Sequence, residues 1–214
     1  MPQIDFDGAN SLVKTDKIQG QGGTTVTVPT SHTLAITDAD RLTIAGTAVK
    51  AGALGKVGQV VQIAKTDTYT ETIGANTMST TNVTGMSVTI TPSATSSKVF
   101  IMASIITGRT SNDDNSGVGV QLVRGTTLIG IGDAASNRTR VSAMSAHQSD
   151  VTVSTVPISF LDSPSSTSAQ TYHIRFLNSD GDSSTIALNR SGGDSDSVPY
   201  GRGCSTITAL EILA

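Results

Sequence analysis

Residues 98–107 read KVFIMASIIT. Taken as a strand, this stretch puts Val99, Ile101, Ala103 and Ile105 on one face and Phe100, Met102 and Ile106 on the other, because successive side chains of an extended chain point to opposite sides. A strand that is apolar on both faces has to be covered twice. One face calls for a second sheet. The other calls for something beyond that sheet, which in a domain of this size is another subunit.

The surrounding chain is built the same way. VGQVVQI, GMSVTI, VGVQLVRG, TLIGIG, TVPISFL, TYHIRFL, STIALNR and STITALEIL follow one another from Val57 to Leu213. Turn material separates them: Gly74-Ala75-Asn76, Pro92-Ser93-Ala94, Asp162-Ser163-Pro164 and Asp180-Gly181-Asp182. Short strands alternating with such turns predict a β-sandwich or jelly roll. Gln121 and Thr127 flank a tight hairpin through Arg124-Gly125. Composition agrees: the 214 residues are 36% hydrophobic and 14% charged, with Ser, Thr, Gly and Asn taking the place of charge. Thr, Val and Ile suit pleated surfaces, and Ala-, Leu-, Glu- and Lys-rich helical blocks are missing. The fold class is all-β.

Upstream of this head, residues 25–47 read TVTVPTSHTLAITDADRLTIAGT. Val26 and Val28, Leu34 and Ile36, and Leu42 and Ile44 form three apolar pairs at a constant offset of eight residues. Each unit makes a strand of about 16 Å at roughly 3.3 Å per residue, with turns at Pro29-Thr30-Ser31 and Asp38-Ala39-Asp40. One unit cannot bury its own pair, because ordering costs about 1–2 kcal/mol per residue against about 1.5–3 kcal/mol for each buried side chain. The pairs are therefore expected to form the core of a stem in which three identical chains wrap one axis. The alternative is an ordinary meander packed on the C-terminal domain. Residues 48–56 read as a Gly/Ala linker.

Residues 1–24 carry Ile4, Phe6, Leu12, Val13 and Ile18 among Gly, Asn and Asp, as an extended docking arm would; a frayed terminus is the plain alternative. The expected organisation is thus arm 1–24, repeat stem and linker 25–56, and jelly-roll-like head 57–214, assembled as a homotrimer.

The charge pattern excludes several function classes. A net charge of −3 with scattered Lys and Arg lacks the basic stripe of a nucleic-acid binder. The lone Cys204 rules out an intrachain disulfide framework and a cysteine zinc site. No apolar signal segment occupies residues 2–17, and no run is long enough for a membrane span. We therefore expect a chain made in a cytoplasm, with no membrane insertion.

Catalytic patterns are missing too. His32, His147 and His173 lack metal-ligand spacing, and His173 reads as a solvated strand position. Glu71 and Glu211 are the only glutamates, little for a glycosidase that needs paired carboxylates. Asn112-Asp113-Asp114-Asn115, the Asp180–Asp182 turn and Asp194-Ser195-Asp196 supply the oxygens calcium uses, but surface turns favour the same residues. No metal, cofactor or enzymatic activity is expected. Asn112, Asp113, Asp114 and Asn115 instead form the candidate exposed recognition loop. Arg138, Arg140, Arg190 and Arg202 are scattered over polar loops and strand ends.

The segments LVKTDKIQGQGGTTVTVPTSHTLAIT, GKVGQVVQIAKTDTYTETI, MSVTITPSATSSKVFIMASI and CSTITALEIL resemble virion surface proteins of marine tailed bacteriophages. That resemblance covers most of the chain. It implies a homotrimeric, β-rich, non-enzymatic virion component with an N-terminal virion-binding arm and a C-terminal head. Its expected partners are its own copies and other virion proteins of tail or capsid, and its place is a tail fibre or a capsid decoration (cement) protein. The competing reading is a carbohydrate-binding module for host surface glycans, which the scarcity of aromatics, 3% of residues, disfavours.

Overall fold

The structure is a computed structural model. It describes residues 56–110, 116–147 and 149–213, and the backbone of two short strands at 43–44 and 47–48. The chain divides into two units, Met1–Ala51 and Gly52–Ala214. In the first, β1 (Thr43–Ile44) pairs antiparallel with β2 (Thr47–Ala48). Ala48, read from sequence as the start of the linker, thus belongs to a strand. Arm residues Ile4, Phe6, Leu12, Val13 and Ile18 and repeat residues Val26, Val28, Leu34, Ile36 and Leu42 lie outside the described residues. So do loop residues Asn112–Asn115.

Among its described residues the second unit holds twelve strands: β3 (Val57–Lys65), β4 (Tyr69–Ile73), β5 (Thr77–Met78), β6 (Ser87–Ile90), β7 (Lys98–Arg109), β8 (Ser116–Arg124), β9 (Thr127–Ile129), β10 (Ala143–His147), β11 (Ser154–Asp162), β12 (Gln170–Asn178), β13 (Ser184–Leu188) and β14 (Ser205–Ile212). Several of these are pieces of one longer strand. Along β7 the register passes from Leu188↔Thr107 to Thr206↔Ser104 as though residues 190–204 were absent. Along β8 it passes from Ile129↔Leu122 to Ala143↔Val120 as though residues 130–141 were absent. β3 and β4 run against β14 and β13, and β5 and β6 both lie along β12.

Joined this way, eight antiparallel strands form two four-stranded sheets. Sheet I has the order β3/β4, β13/β14, β7, β11; sheet II has β5/β6, β12, β8, β9/β10. Numbered along the chain, the orders are 1-8-3-6 and 2-7-4-5. The β8–β9 hairpin is the only connection within a sheet. This is a jelly roll.

Alternation decides which side chains go inward. Along β14, Ser205, Ile207, Ala209 and Glu211 are buried while the residues between them are half-exposed. Val99, Ile101 and Ile105 of β7 meet Val118, Val120 and Leu122 of β8 and Tyr172, Ile174 and Phe176 of β12 in one apolar core. The strand pattern read from sequence ran too far in two places. Gly130 (φ 57°) and Asn189 (φ 61°) adopt the left-handed conformation, which ends TLIGIG at Ile129 and STIALNR at Leu188.

Polar side chains bridge the breaks. Asn189 donates from Nδ2 to the carbonyls of Lys65 (2.7 Å) and Asp67 (2.9 Å) and accepts from Ser205 Oγ (2.6 Å). Ser205 Oγ in turn accepts the Ile106 N–H at 2.8 Å. In sheet II, Ser142 accepts the Leu122 N–H at 2.9 Å and donates to the Ile129 carbonyl at 3.3 Å. Each excursion therefore leaves its sheet without orphaning the ladder.

Candidate interaction surface

The outward face of sheet I carries a regular pattern. Val60, Leu210, Phe100 and Leu161 stand in one row across all four strands, paired Val60↔Leu210, Leu210↔Phe100 and Phe100↔Leu161. The next row is Gln62, Thr208, Met102 and Ser159, and the third is Ala64, Thr206, Ser104 and Pro157. Val60 is 58% exposed, Met102 49% and Leu161 45%. The small side chains of the second and third rows leave a shallow depression of about 500 Å³ bounded by Gln62, Met102, Ser104, Ser159 and Thr208. An apolar row beside a depression has the character of a contact surface rather than of a site for a charged ligand.

The same face is closed at its other end. Residues 190–204 fold back over β7: a Cβ on Gly108 would collide with the backbone of Arg190 and Ser191, and one on Gly203 would strike the side chain of Ile106. So the double apolar face of residues 98–107 is half covered by its own chain and half bare. The neck of the excursion is closed by an Arg190↔Arg202 bridge. Arg202 pairs with Asp194 at 2.6 Å, and Arg190 lies 3.6 Å from the same carboxylate. Asp194, Asp196, Tyr200 and Arg202 line an open polar hollow of about 630 Å³.

Charged groups inside the sandwich are engaged with one another. Arg109, wholly buried, donates to Asp180 Oδ2 at 2.5 Å, which also accepts from Ser184 Oγ at 3.0 Å. The Asp180 turn, weighed above as a source of calcium ligands, thus spends this carboxylate on an arginine. Asn178 Nδ2 fastens the same turn to the carbonyls of Ile73, Gly74 and Asp182. Among the described residues no group of three His, Cys, Asp or Glu side chains could hold a metal ion.

The two glutamates sit in separate settings. Glu71 accepts from Ser79 Oγ and Tyr69 OH. Glu211 accepts from Gln59 Nε2 (3.0 Å) and from Ser93 N and Oγ (both 2.6 Å). Burial pushes the Glu211 carboxyl up, but these bonds outweigh it and bring the pKa down to about 2. Asp162 Oδ2 accepts from Tyr172 OH (2.7 Å) and Arg124 Nη1 (2.6 Å). Burial and then the Asp162 carboxylate raise the tyrosine's pKa.

One histidine differs from expectation. His173 is not solvated: it is 5% exposed, on a central strand beside the buried Val123 and Gln121 of β8. The 130–141 excursion bends back toward this face, with Gln121 Nε2 donating to the Arg140 carbonyl at 2.6 Å. Burial, then the charge of Arg175, lowers the His173 pKa. His147 is also buried, with Nε2 3.0 Å from Thr107 Oγ1. Burial and the nearby Arg109 charge bring its pKa down to about 4, so it is neutral at pH 7. Nothing in the local sequence distinguished these two from surface histidines, because what covers them comes from elsewhere in the chain.

No family model and no curated protein matches this chain. Among solved structures it is similar to the infectious bursal disease virus Gt strain structure, with a TM-score of 0.37 and 15% identity over 73% of this chain and 38% of that one. The Gx strain structure gives 0.37 and 16% over 73% and 37%. The VP2 subviral particle crystal structure of the same virus gives 0.34 and 12% over 72% and 41%. The chain spans less than half of each neighbour. Likeness this distant carries no argument about function.

Proposed function

We propose that this chain is a non-enzymatic structural protein of a phage particle, displayed on its surface as a homotrimer and docked through residues 1–24. Its position is a tail fibre or a capsid decoration. The observation that carries the assembly role is the apolar row Val60–Leu210–Phe100–Leu161, exposed at its two ends and half-buried between them, outside a sandwich that has its own apolar core. A domain that has closed its own core does not need a second apolar face for stability, whereas an assembly unit does. The virion setting is supported by the resemblance of the quoted segments to phage surface proteins.

Particle incorporation tests this reading. Deleting residues 1–24 should leave a folded head that is missing from purified particles, because so few apolar residues along an extended arm order only against a partner. Changing Asn112–Asn115 should leave incorporation intact. Both are read by complementation and mass spectrometry of purified particles. Normal incorporation of the arm deletion, or loss of the loop variant, reverses the assignment of which end faces the particle.

The polar hollow around Tyr200 favours a second reading, glycan binding. Carboxylates at Asp194 and Asp196 can accept sugar hydroxyls, and the Tyr200 ring offers an apolar face. If so, Tyr200→Ala abolishes binding to host-surface glycans without altering assembly; unchanged binding removes this reading.

A further inference from the structure

We propose that β3 is a pairing edge: two copies of this chain join head to head by antiparallel pairing of Val60–Ala64 about a two-fold axis at Gln62. The sandwich has four sheet edges among the described residues. Exposed edges are templates for unwanted pairing, and proteins blunt them with proline, charge, breaks or short strands. β11 carries Pro157 at mid-strand and Asp162 at its end. The β9/β10 edge is broken by residues 130–141, and β5/β6 is two short pieces split by residues 79–86. β3 differs.

From Val57 to Ala64 it contains no charge and no proline. Among the described residues it pairs only with β14. Its one irregularity lies between Val57↔Ile212 and Val60↔Leu210, where β3 is one residue longer than its neighbour. From Val60 to Lys65 the strand is regular. On the outer face Val60 is 58% exposed; on the inner face Ile63 is 37% exposed while Val61 packs partly against the core. The free backbone groups along such an edge are satisfied by an extended strand and by nothing else so well.

Self-complementarity selects a second copy as the occupant, because residues 60–64 carry no charge to repel their own image. A two-fold at Gln62 sets Val60 opposite Ala64 of the other copy, Val61 opposite Ile63 and Gln62 opposite itself. No like charges meet, and Lys65 falls outside the paired stretch. The apolar row that begins at Val60 then continues across both copies. The paired stretch is about 16 Å long at roughly 3.3 Å per residue, a contact well below the usual 1,600 Å² or so of a stable interface. The pairing is therefore concentration dependent, and it is independent of the virion reading and of the oligomer the stem makes.

Sedimentation velocity of the full chain across a wide concentration range tests it. The expected result is a base assembly that gains mass in whole multiples as concentration rises, with amides of residues 60–64 becoming protected from hydrogen exchange. V60K/A64K places lysine opposite lysine and should hold the base mass at every concentration. V60K/A64E places lysine opposite glutamate and should associate again. Both positions are exposed on the outer face, so circular dichroism melts should match the unmodified chain. The proposal is overturned if the unmodified chain never exceeds its base mass, if V60K/A64K associates as it does, or if folded V60K/A64E fails to. A wrong trimer assignment changes the base mass; a wrong edge assignment removes the further association.

Discussion

Three buried titratable side chains, His147, His173 and Glu211, have lowered pKa values, and they act in two windows. His147 has a folded pKa of about 4, below the ordinary 6.5. Between those values the unfolded chain binds a proton that the folded chain refuses, so stability falls as pH drops from 6.5 to 4 and levels off below. The loss is on the order of 3 kcal/mol at 1.36 kcal/mol per pKa unit. Glu211 has a folded pKa of about 2, below the ordinary 4.5. Its contribution is complete above 4.5 and is lost as pH falls toward 2. Denaturant titrations at stepped pH should show both declines, with His147→Gln reducing the upper, which buried His173 shares, and Glu211→Gln removing the lower. A single decline that neither substitution alters would show that other groups govern the response.

At the scale of elements, the interrupted strands depend on a few polar stitches. Asn189→Ala would remove three side-chain hydrogen bonds and put alanine at φ 61°. With about 1–3 kcal/mol for a buried group left unpaired and about 1 kcal/mol for the backbone, the expected loss is about 3 kcal/mol by chemical denaturation. The excursion itself is an insertion in the register. Joining Asn189 directly to Ser205 should therefore give a chain that still unfolds cooperatively with unchanged far-ultraviolet circular dichroism. Loss of cooperative folding would show that residues 190–204 hold β13 and β14 in line, and do not merely leave between them. The same deletion uncovers Ile106 and Gly108, extending the bare face toward the other end of sheet I.

For the whole molecule, the stem and the head make separable demands. A carboxylate at position 36 in a buried three-chain core would be desolvated without a partner, costing several kcal/mol per chain. Ile36→Asp is accordingly expected to break the trimer while residues 57–214 keep their thermal transition, as read by mass photometry and calorimetry. A trimer that survives the substitution means position 36 faces solvent. In the proposed assembly the heads contribute through the outer face of sheet I, where Val60 and Leu161 are exposed at the two ends of the apolar row.

The sequence by itself determined the local physics. Period-two alternation in STITALEI and on both faces of residues 98–107 specifies strands, an inward face and a surplus outward one, because side-chain direction along a strand depends only on position. The all-β sandwich was legible for that reason, as was the need to cover β7 twice. Only the tertiary structure decided what does the covering. Residues 190–204 reach the Ile106 end of β7 from another part of the chain, and no pattern within 98–107 records that half the face is taken. His173 shows the same limit: its strand looks half-solvated in isolation, yet its place between β8 and β6 buries it. The breaks in β9/β10 and β13/β14 were hidden too, because Ser142 and Asn189 look like ordinary loop residues until the strands beside them supply the partners their side chains bind. Direction along a strand is a local property. Burial belongs to whichever distant segments happen to meet.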